Sequence, residues 1–331
     1  MKLVVTIDTE EDNWGSYSPT DYSFKNIERL PALQALFDQY SVQPTYLITY
    51  PVATNEKSVR IMSDLLKEGT CEIGTHCHPW NTPPYEEQSN EQSTMLCNLP
   101  DTLQYRKLIS LHNTIKHNFG VNPVSFRAGR WGFSQEVAKN LVRLGYKIDT
   151  SVTPYTDWSM YCGPDYSNDS PQPYRMKWED VSHNCFNHDL LEVPASVGYL
   201  QKNFSVCNRV LQVVRKTPLV RMRLIGLLDK LRLVNKVGLS PEVADSRKMI
   251  LFAQRLIKNN YQVLNMFFHS PFLHSGLTPF VRTPADEKRF LKTIREFLVY
   301  VRDSGIESIK LSESPRILTH LVTQSGLYNK A

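Results

Sequence analysis

Two pairs of residues carry the chemistry that can be read first. Asp8 and Glu10 stand two apart where the apolar run Met1-Lys2-Leu3-Val4-Val5-Thr6-Ile7 ends. His76 and His78 stand two apart where Cys71-Glu72-Ile73-Gly74-Thr75 ends. Carboxylates and imidazoles together are the donors of a divalent metal site, and the chemistry of such a site is metal-assisted hydrolysis. Residues i and i+2 of an extended chain point to one face, so each pair can converge on a single point. A carboxylate at the end of a buried strand is costly unless something there uses it. Cys77, between the two histidines, reads as a strand residue facing the other way.

Four more candidates recur at similar places. Arg127 and Trp131 lie in Phe126-Arg127-Ala128-Gly129-Arg130-Trp131-Gly132, and Asp149 lies in Ile148-Asp149-Thr150-Ser151. His269 closes Leu264-Asn265-Met266-Phe267-Phe268-His269, whereas the nearby His274 falls on a loop. An arginine beside Asp8 would hold that carboxylate ionised.

The elements that must position these residues follow from hydrophobic periodicity. Short runs rich in β-branched and aromatic residues predict strands over 3–8, 45–49, 71–76, 124–127, 147–151, 190–194, 263–269 and 308–311. Helical spacing falls between them, over 26–40, 56–68, 102–119, 134–144, 245–259 and 284–302, with Ser134 as an N-cap and Gly145 as a stop. Repeated βα units of this length predict a parallel sheet, open or closed into a barrel, and in barrels function gathers at the C-terminal ends of strands.

The order of these strand-end residues resembles the polysaccharide deacetylase family (carbohydrate esterase family 4, the NodB-homology domain). The resemblance runs from Lys2 to about Ser312, apart from one basic insertion. Thr6-Ile7-Asp8-Thr9-Glu10-Glu11-Asp12 stands for its Thr-Phe-Asp-Asp motif, and Glu72-Ile73-Gly74-Thr75-His76-Cys77-His78-Pro79-Trp80 for its double-histidine motif. Phe126 to Gly132 stands for its Arg-Pro-Tyr motif, and the run ending at His269 for its last motif. Thr9 occupies the place of the family's second aspartate, and Trp80 that of its second histidine, so Glu10 and His78 take over those parts.

The resemblance implies an α/β fold, a distorted (β/α) barrel of about seven strands, in one domain over residues 1–331 with a helical insertion at about 204–239. It implies one divalent metal ion, zinc, held by Glu10, His76 and His78, with exchange of roles between Asp8 and Glu10 left open. It further implies a hydrolase that removes acetyl groups from an acetylated sugar or polysaccharide intermediate. Asp8 is then the general base and His269 the acid. The Trp131 amide faces the oxyanion, and Asp149 supports Arg127 or His269. The subgroup it is most similar to is linked to surface-polysaccharide synthesis. Two alternatives remain: a metal hydrolase of a non-sugar amide, and a barrel that binds glycan without turning it over.

Composition narrows the setting. The chain has 331 residues with 41% apolar and 21% charged, which predicts a sizeable core. No run of eighteen apolar residues predicts a membrane span, and the apolar start is too short for a signal peptide. Six scattered cysteines without a Cys-x-x-Cys pair predict free thiols and a cytoplasmic protein.

Net charge is +5, yet Asn208 to Gly238 alone carries eight basic residues against Asp229, so the rest of the chain is slightly acidic. That excludes a generally basic, nucleic-acid-binding protein. The insertion mixes its cations with valine and leucine, as an amphipathic helix at a membrane surface does, and Pro218 should divide it in two. A helical flap packed on the barrel is the competing expectation. A second irregular stretch, Tyr155 to Asp180, holds Tyr155, Trp158, Tyr161, Tyr166, Tyr174 and Trp178. These rings either bury against the barrel or stack on sugars at the site mouth.

Overall fold

A computed structural model describes residues 1–177, 190–216, 224–318 and 322–325. Seven parallel strands form its frame: β1 (Lys2–Thr9), β2 (Pro44–Ile48), β3 (Glu72–Cys77), β4 (Ser125–Ala128), β5 (Ile148–Asp149), β6 (Leu190–Glu192) and β7 (Val263–His269). Their spatial order is β7-β1-β2-β3-β4-β5-β6, so each strand after β1 is laid down beside its predecessor until β7 returns to the far side of β1. Both faces are covered, and β1 and β2 are accordingly buried almost throughout, with every residue from Leu3 to Thr9 and from Pro44 to Ile48 inside.

The outer layer consists of α1 (Leu30–Asp38), α2 (Glu56–Lys67), α3 (Asp101–Phe119), α4 (Gln135–Arg143), the insertion helices α5 (Phe204–Lys216) and α6 (Leu224–Lys230), then α7 (Ser246–Lys258) and α8 (Pro284–Asp303). Local sequence sets their ends. The Ser134 side chain accepts from Val137 N at the start of α4, Asn55 caps α2, and Thr283 with Asp286 forms a capping box on α8. Gly120 ends α3 at φ 67°, a left-handed conformation that glycine adopts without strain.

The barrel is distorted at its seam. Among the described residues β6 and β7 form no ladder, and Tyr174–Lys177 instead adds antiparallel to the outer side of β6. The gap is crossed by Asn265 of β7, whose Nδ2 donates to Val193 O at 3.1 Å, Pro194 O at 3.2 Å and Thr150 Oγ1 at 2.9 Å. The expected eighth strand at 308–311 shrinks to Glu307–Ser308, which pairs with the first residues of β1.

The insertion leaves from the end of β6 that faces the site. A hairpin of Val197–Tyr199 with Lys236–Gly238 brackets it. One side of α5, Phe204, Cys207, Leu211 and Val214, is buried, and Phe204 packs on Tyr199, Phe252 and Tyr261. The expected break at Pro218 lies outside the described residues. In the aromatic stretch, Tyr155, Tyr166 and Tyr174 are buried against the barrel, and Trp178 lies outside the described residues. Cys71, Cys77, Cys162 and Cys207 are free thiols.

Candidate active site

Strand register brings the separate sequence signals together. Asp8 lies beside His269 across β1 and β7, and His76 beside Arg127 across β3 and β4. All four therefore reach the same end of the barrel. Above them is a cavity of about 310 Å³ lined by Asp8, Glu10, His76, His78, Trp131 and His269 among others.

The donor atoms of Glu10, His76 and His78 lie within 4.8 Å of one another. Nε2 of His76 and Nε2 of His78 are 2.7 Å apart, and Glu10 Oε2 is 3.5 Å from His78 Nε2 and 3.9 Å from His76 Nε2. His76 Nδ1 faces Arg127 O at 3.0 Å, which keeps the proton on Nδ1 and leaves Nε2 a bare lone pair. Burial, first of all, holds His76 near 4 and His78 well below the ordinary histidine value, so both are neutral at pH 7. His78 Nδ1 is buried without a hydrogen-bond partner among the described residues. His76 turns its Nε2 lone pair toward His78 Nε2, and two neutral imidazoles with a carboxylate alongside are a donor set that suits a divalent cation.

Each of these side chains is held from behind. The main chain of Glu10 is clamped on both sides, its N–H donating to Ser270 Oγ at 3.1 Å and its carbonyl accepting from Asn26 Nδ2 at 2.9 Å. Asn26 is fixed in turn by Asp12, which also accepts from Ser23 Oγ and Lys25 N. The His78 ring lies against Trp80 at 4.2 Å and is backed by Gly129, where an added Cβ would meet His78 Cδ2 at 2.2 Å. The loop carrying Trp80 is tied down by the buried Lys107, whose Nζ donates to the carbonyls of Pro79, Thr82 and Pro84.

The Asp8 carboxylate is divided between two tasks. Oδ1 accepts from Arg127 Nη1 at 2.6 Å, while Oδ2 is left 3.5 Å from His269 Nε2 and 4.0 Å from His76 Nε2. Burial alone would raise Asp8, but Arg127 and the two imidazoles outweigh it and bring it below the ordinary carboxylate value. Arg127 is itself fully buried and nearly saturated, donating also to Thr150 O, Thr6 Oγ1 and Thr150 Oγ1. The indole of Trp131 stacks on its guanidinium at 5.0 Å. Arg130 and Trp131 both sit in the left-handed region, at φ 53° and φ 60°. Such strain costs of order 1–3 kcal/mol per residue and collects at functional sites.

His269, with its side chain 22% exposed, is flanked by two carboxylates: Asp8 on Nε2 and Glu242 on Nδ1, the latter at 3.0 Å. Burial pushes the imidazole down, but Glu242, Glu10 and Asp8 raise it to about 10. His274 instead bonds Ser275 O and takes no part. Asp149 neither lines the cavity nor bonds Arg127 or His269. Its carboxylate accepts from Ser151 N and Ser151 Oγ, and Ser151 Oγ accepts from Ala128 N, so Asp149 braces the end of β4 at one remove. Asp149 pairs in register with Glu192; burial raises both, and two adjacent buried carboxyls share a proton.

Several residues of the site give no signal in the sequence. Glu242 follows the insertion and reaches His269 only through the fold. Trp14 meets His269 edge-on at 5.0 Å, and Tyr17 meets Trp80 at 4.9 Å. These rings, with Trp131, wall the cavity; none of the described rings of the stretch from Tyr155 onward does.

No family model matches the chain, and no curated protein matches it. Solved structures do. A candidate polysaccharide deacetylase from Mycobacterium smegmatis is 15% identical at a TM-score of 0.55, with 100% of this chain and 96% of that one covered. A candidate glycoside hydrolase/deacetylase from Parabacteroides distasonis is 10% identical at 0.56, covering 96% and 70%. The 4-α-glucanotransferase of Thermococcus litoralis is 14% identical at 0.52, covering 99% of this chain and 42% of that one. At such identities the likeness is one of architecture, and it agrees with the order of the strand-end residues: this chain has the fold of the polysaccharide deacetylase family.

Proposed function

We propose that the chain is a metal-dependent deacetylase acting on an acetylated sugar or polysaccharide intermediate, of the kind made in surface-polysaccharide synthesis. The observation that carries this reading is the convergence of Glu10, His76 and His78 beside an Asp8 carboxylate that has one oxygen on Arg127 and the other turned toward His269 and His76. Glu10, His76 and His78 would hold the ion, zinc by its preference for such donors. When bound, the ion supplies Lewis acidity to the attacking water and to the acetyl carbonyl.

The chain's own residues supply the rest. Asp8, kept ionised by Arg127, takes the proton of the attacking water. The water oxygen bonds the carbonyl carbon as the carbonyl π pair moves to its oxygen. The strained turn at Trp131 offers a backbone amide to that oxyanion. His269, whose proton is secured by Glu242, passes it to the leaving nitrogen as the C–N bond breaks. Acetate and a free amine result. Trp14, Tyr17, Trp80 and Trp131 give flat apolar walls suited to a pyranose ring.

Membrane contact belongs to the same proposal. Val206, Val210 and Val213 form an exposed stripe on α5 opposite its buried side, and Leu227, Leu231 and Leu233 are exposed on and after α6. Exposed Arg209, Arg215, Lys230 and Arg232 flank them. Pairing this face with a second copy would set cation against cation, whereas an anionic lipid surface matches both its apolar and its charged parts. Among the described residues no helix is long and apolar enough to cross a membrane.

Metal content measured beside acetate release tests the main reading. The purified protein should carry one divalent ion per chain and release acetate from at least one member of a panel of N- and O-acetylated sugars, and chelation should abolish release. Metal binding with release only from non-sugar acetamides would move the assignment to the amide hydrolases. A protein that binds no metal would overturn it.

A further inference from the structure

Arg130 stands at the rim of the cavity, next to Trp131, and the reaction outlined above gives it no task. Its side chain is only 17% exposed. The guanidinium carbon lies 5.0 Å over the Tyr17 ring, and Nη1 donates to Thr94 Oγ1. The nearest carboxylate, Glu91 Oε1, is 3.7 Å from Nη2, beyond hydrogen-bond distance, and its side chain is 57% exposed. A guanidinium has five N–H donors. Among the described residues one of them is used, and the single counter-charge sits in water, where it is screened.

The acids lower in the cavity do not make up the deficit. Asp8 is bound to Arg127, Glu11 accepts from Asn81 Nδ2 at 2.8 Å and Thr49 Oγ1 at 3.0 Å, and Glu10 faces the two histidines. A cation is therefore left largely desolvated and under-bonded at the place where a sugar would enter between aromatic walls. It has its planar fork pre-set by Thr94 and Tyr17. That arrangement recognises an anion through paired, charge-assisted hydrogen bonds.

We propose that Arg130 is a specificity determinant that selects an acetylated sugar bearing a negative group, a carboxylate or a phosphate, close to the acetylated position. The proposal rests on the deacetylase reading for its sugar. Its core, an anion-selective rim, is separable from catalysis.

The test compares three ligands with the zinc-loaded protein: a neutral N-acetylglucosamine disaccharide, a disaccharide of glucuronate and N-acetylglucosamine, and N-acetylglucosamine 1-phosphate. Binding is followed by quenching of tryptophan fluorescence and turnover by acetate release. The wild type should favour at least one anionic ligand over the neutral one by about tenfold or more, the range charge-assisted hydrogen bonds supply. The carboxylate and phosphate arms show which anion is preferred. Arg130→Gln should collapse the anionic-to-neutral ratio in binding, Arg130→Lys should restore part of it, and Glu91→Gln, which leaves Arg130 in place, should raise it. An equal loss for all three ligands in Arg130→Gln would mean that Arg130 only fastens Tyr17, and the proposal falls. No anionic preference in the wild type also overturns it. If nothing is hydrolysed but the anionic preference in binding is seen and lost with Arg130→Gln, the rim assignment stands and the deacetylase reading fails.

Discussion

Gly129→Ala perturbs the proposed metal site without replacing a ligand, and its effect can be worked out from packing. The added methyl would lie 2.2 Å from His78 Cδ2, 2.9 Å from His78 Nε2 and 2.8 Å from the Cys77 carbonyl. Carbon atoms in contact settle at about 3.5–4.0 Å, so the imidazole must withdraw by roughly 1.3 Å. It has little room to do so, because Trp80 lies on it at 4.2 Å and Cys77 is held in register with Ala128. Metal ligands tolerate displacements of about 0.2 Å. Loss of a group that merely orients a ligand already costs about 10–100-fold in affinity, and here the ligand itself moves. We expect zinc affinity to fall by about a hundredfold or more, with an overpacking cost of about 1–3 kcal/mol in stability. Competition against a chelator measures the first, and thermal unfolding of the metal-free protein the second. Gly226→Ala in α6, where nothing lies within 4 Å of the new methyl, is the control and should bind zinc like the wild type. Zinc affinity within threefold of wild type in Gly129→Ala would refute the assignment of His78.

The other predictions divide the remaining roles. Asp8→Asn should retain metal but lose turnover by about a hundredfold or more, while Glu10→Ala should lose metal; the reverse pattern in metal analysis exchanges the two carboxylates. Glu242→Gln should bring the titration of His269 in the metal-free protein down from about 10 toward the ordinary value near 6.5, followed by proton NMR of the ring. If His269 is the proposed acid, its activity and the stability of its ion pairs are present at low pH and fade as pH rises through the folded value, so the alkaline limb should move down in this variant. An unmoved limb and an unmoved titration would remove Glu242 from the account. Arg127→Met should cost about 3–5 kcal/mol in denaturant unfolding by stranding the Asp8 charge, and adding Asp8→Asn should return part of it. At low salt the protein should sediment with anionic but not neutral vesicles, and Val213→Glu with Leu231→Glu should abolish this; a wild type that stays in the supernatant ends the membrane reading.

What the sequence discloses here is what the strand repeat fixes locally. Asp8 with Glu10, and His76 with His78, are legible because a period of two puts each pair on one face, and because the apolar runs before them say where the strands end. Parallel pairing then places His269 beside Asp8 and Arg127 beside His76 in register, so a residue at a strand end inherits its neighbours from the sheet. Asp149 shows the limit of that logic: it too ends a strand, but its side chain is taken up by Ser151 and Glu192, and period alone does not say which face of a two-residue strand meets the cavity. The aromatic stretch shows another limit. Composition leaves Tyr155, Tyr166 and Tyr174 open between burial against the barrel and stacking at the site mouth, and only the fold shows them buried.

The hidden half of the site is its loop half. Glu242 is 27 residues from His269, Asn26 is 16 from Glu10, and Trp14 meets a histidine at the other end of the chain. None of these contacts is periodic, and each depends on where a loop is anchored, so no spacing rule reaches them. They are also the contacts that give the strand-end residues direction. Asn26 and Ser270 fix Glu10, Gly129 and Trp80 fix His78, and Glu242 secures the proton of His269. The family-like motifs differ in their spacing here, with Thr9 and Trp80 standing where ligands are expected. The structure shows how the same end of the barrel accommodates that. The clamp on the Glu10 backbone carries its carboxylate past Thr9 to the histidines, and Trp80, no ligand, serves as the wall against which His78 is held.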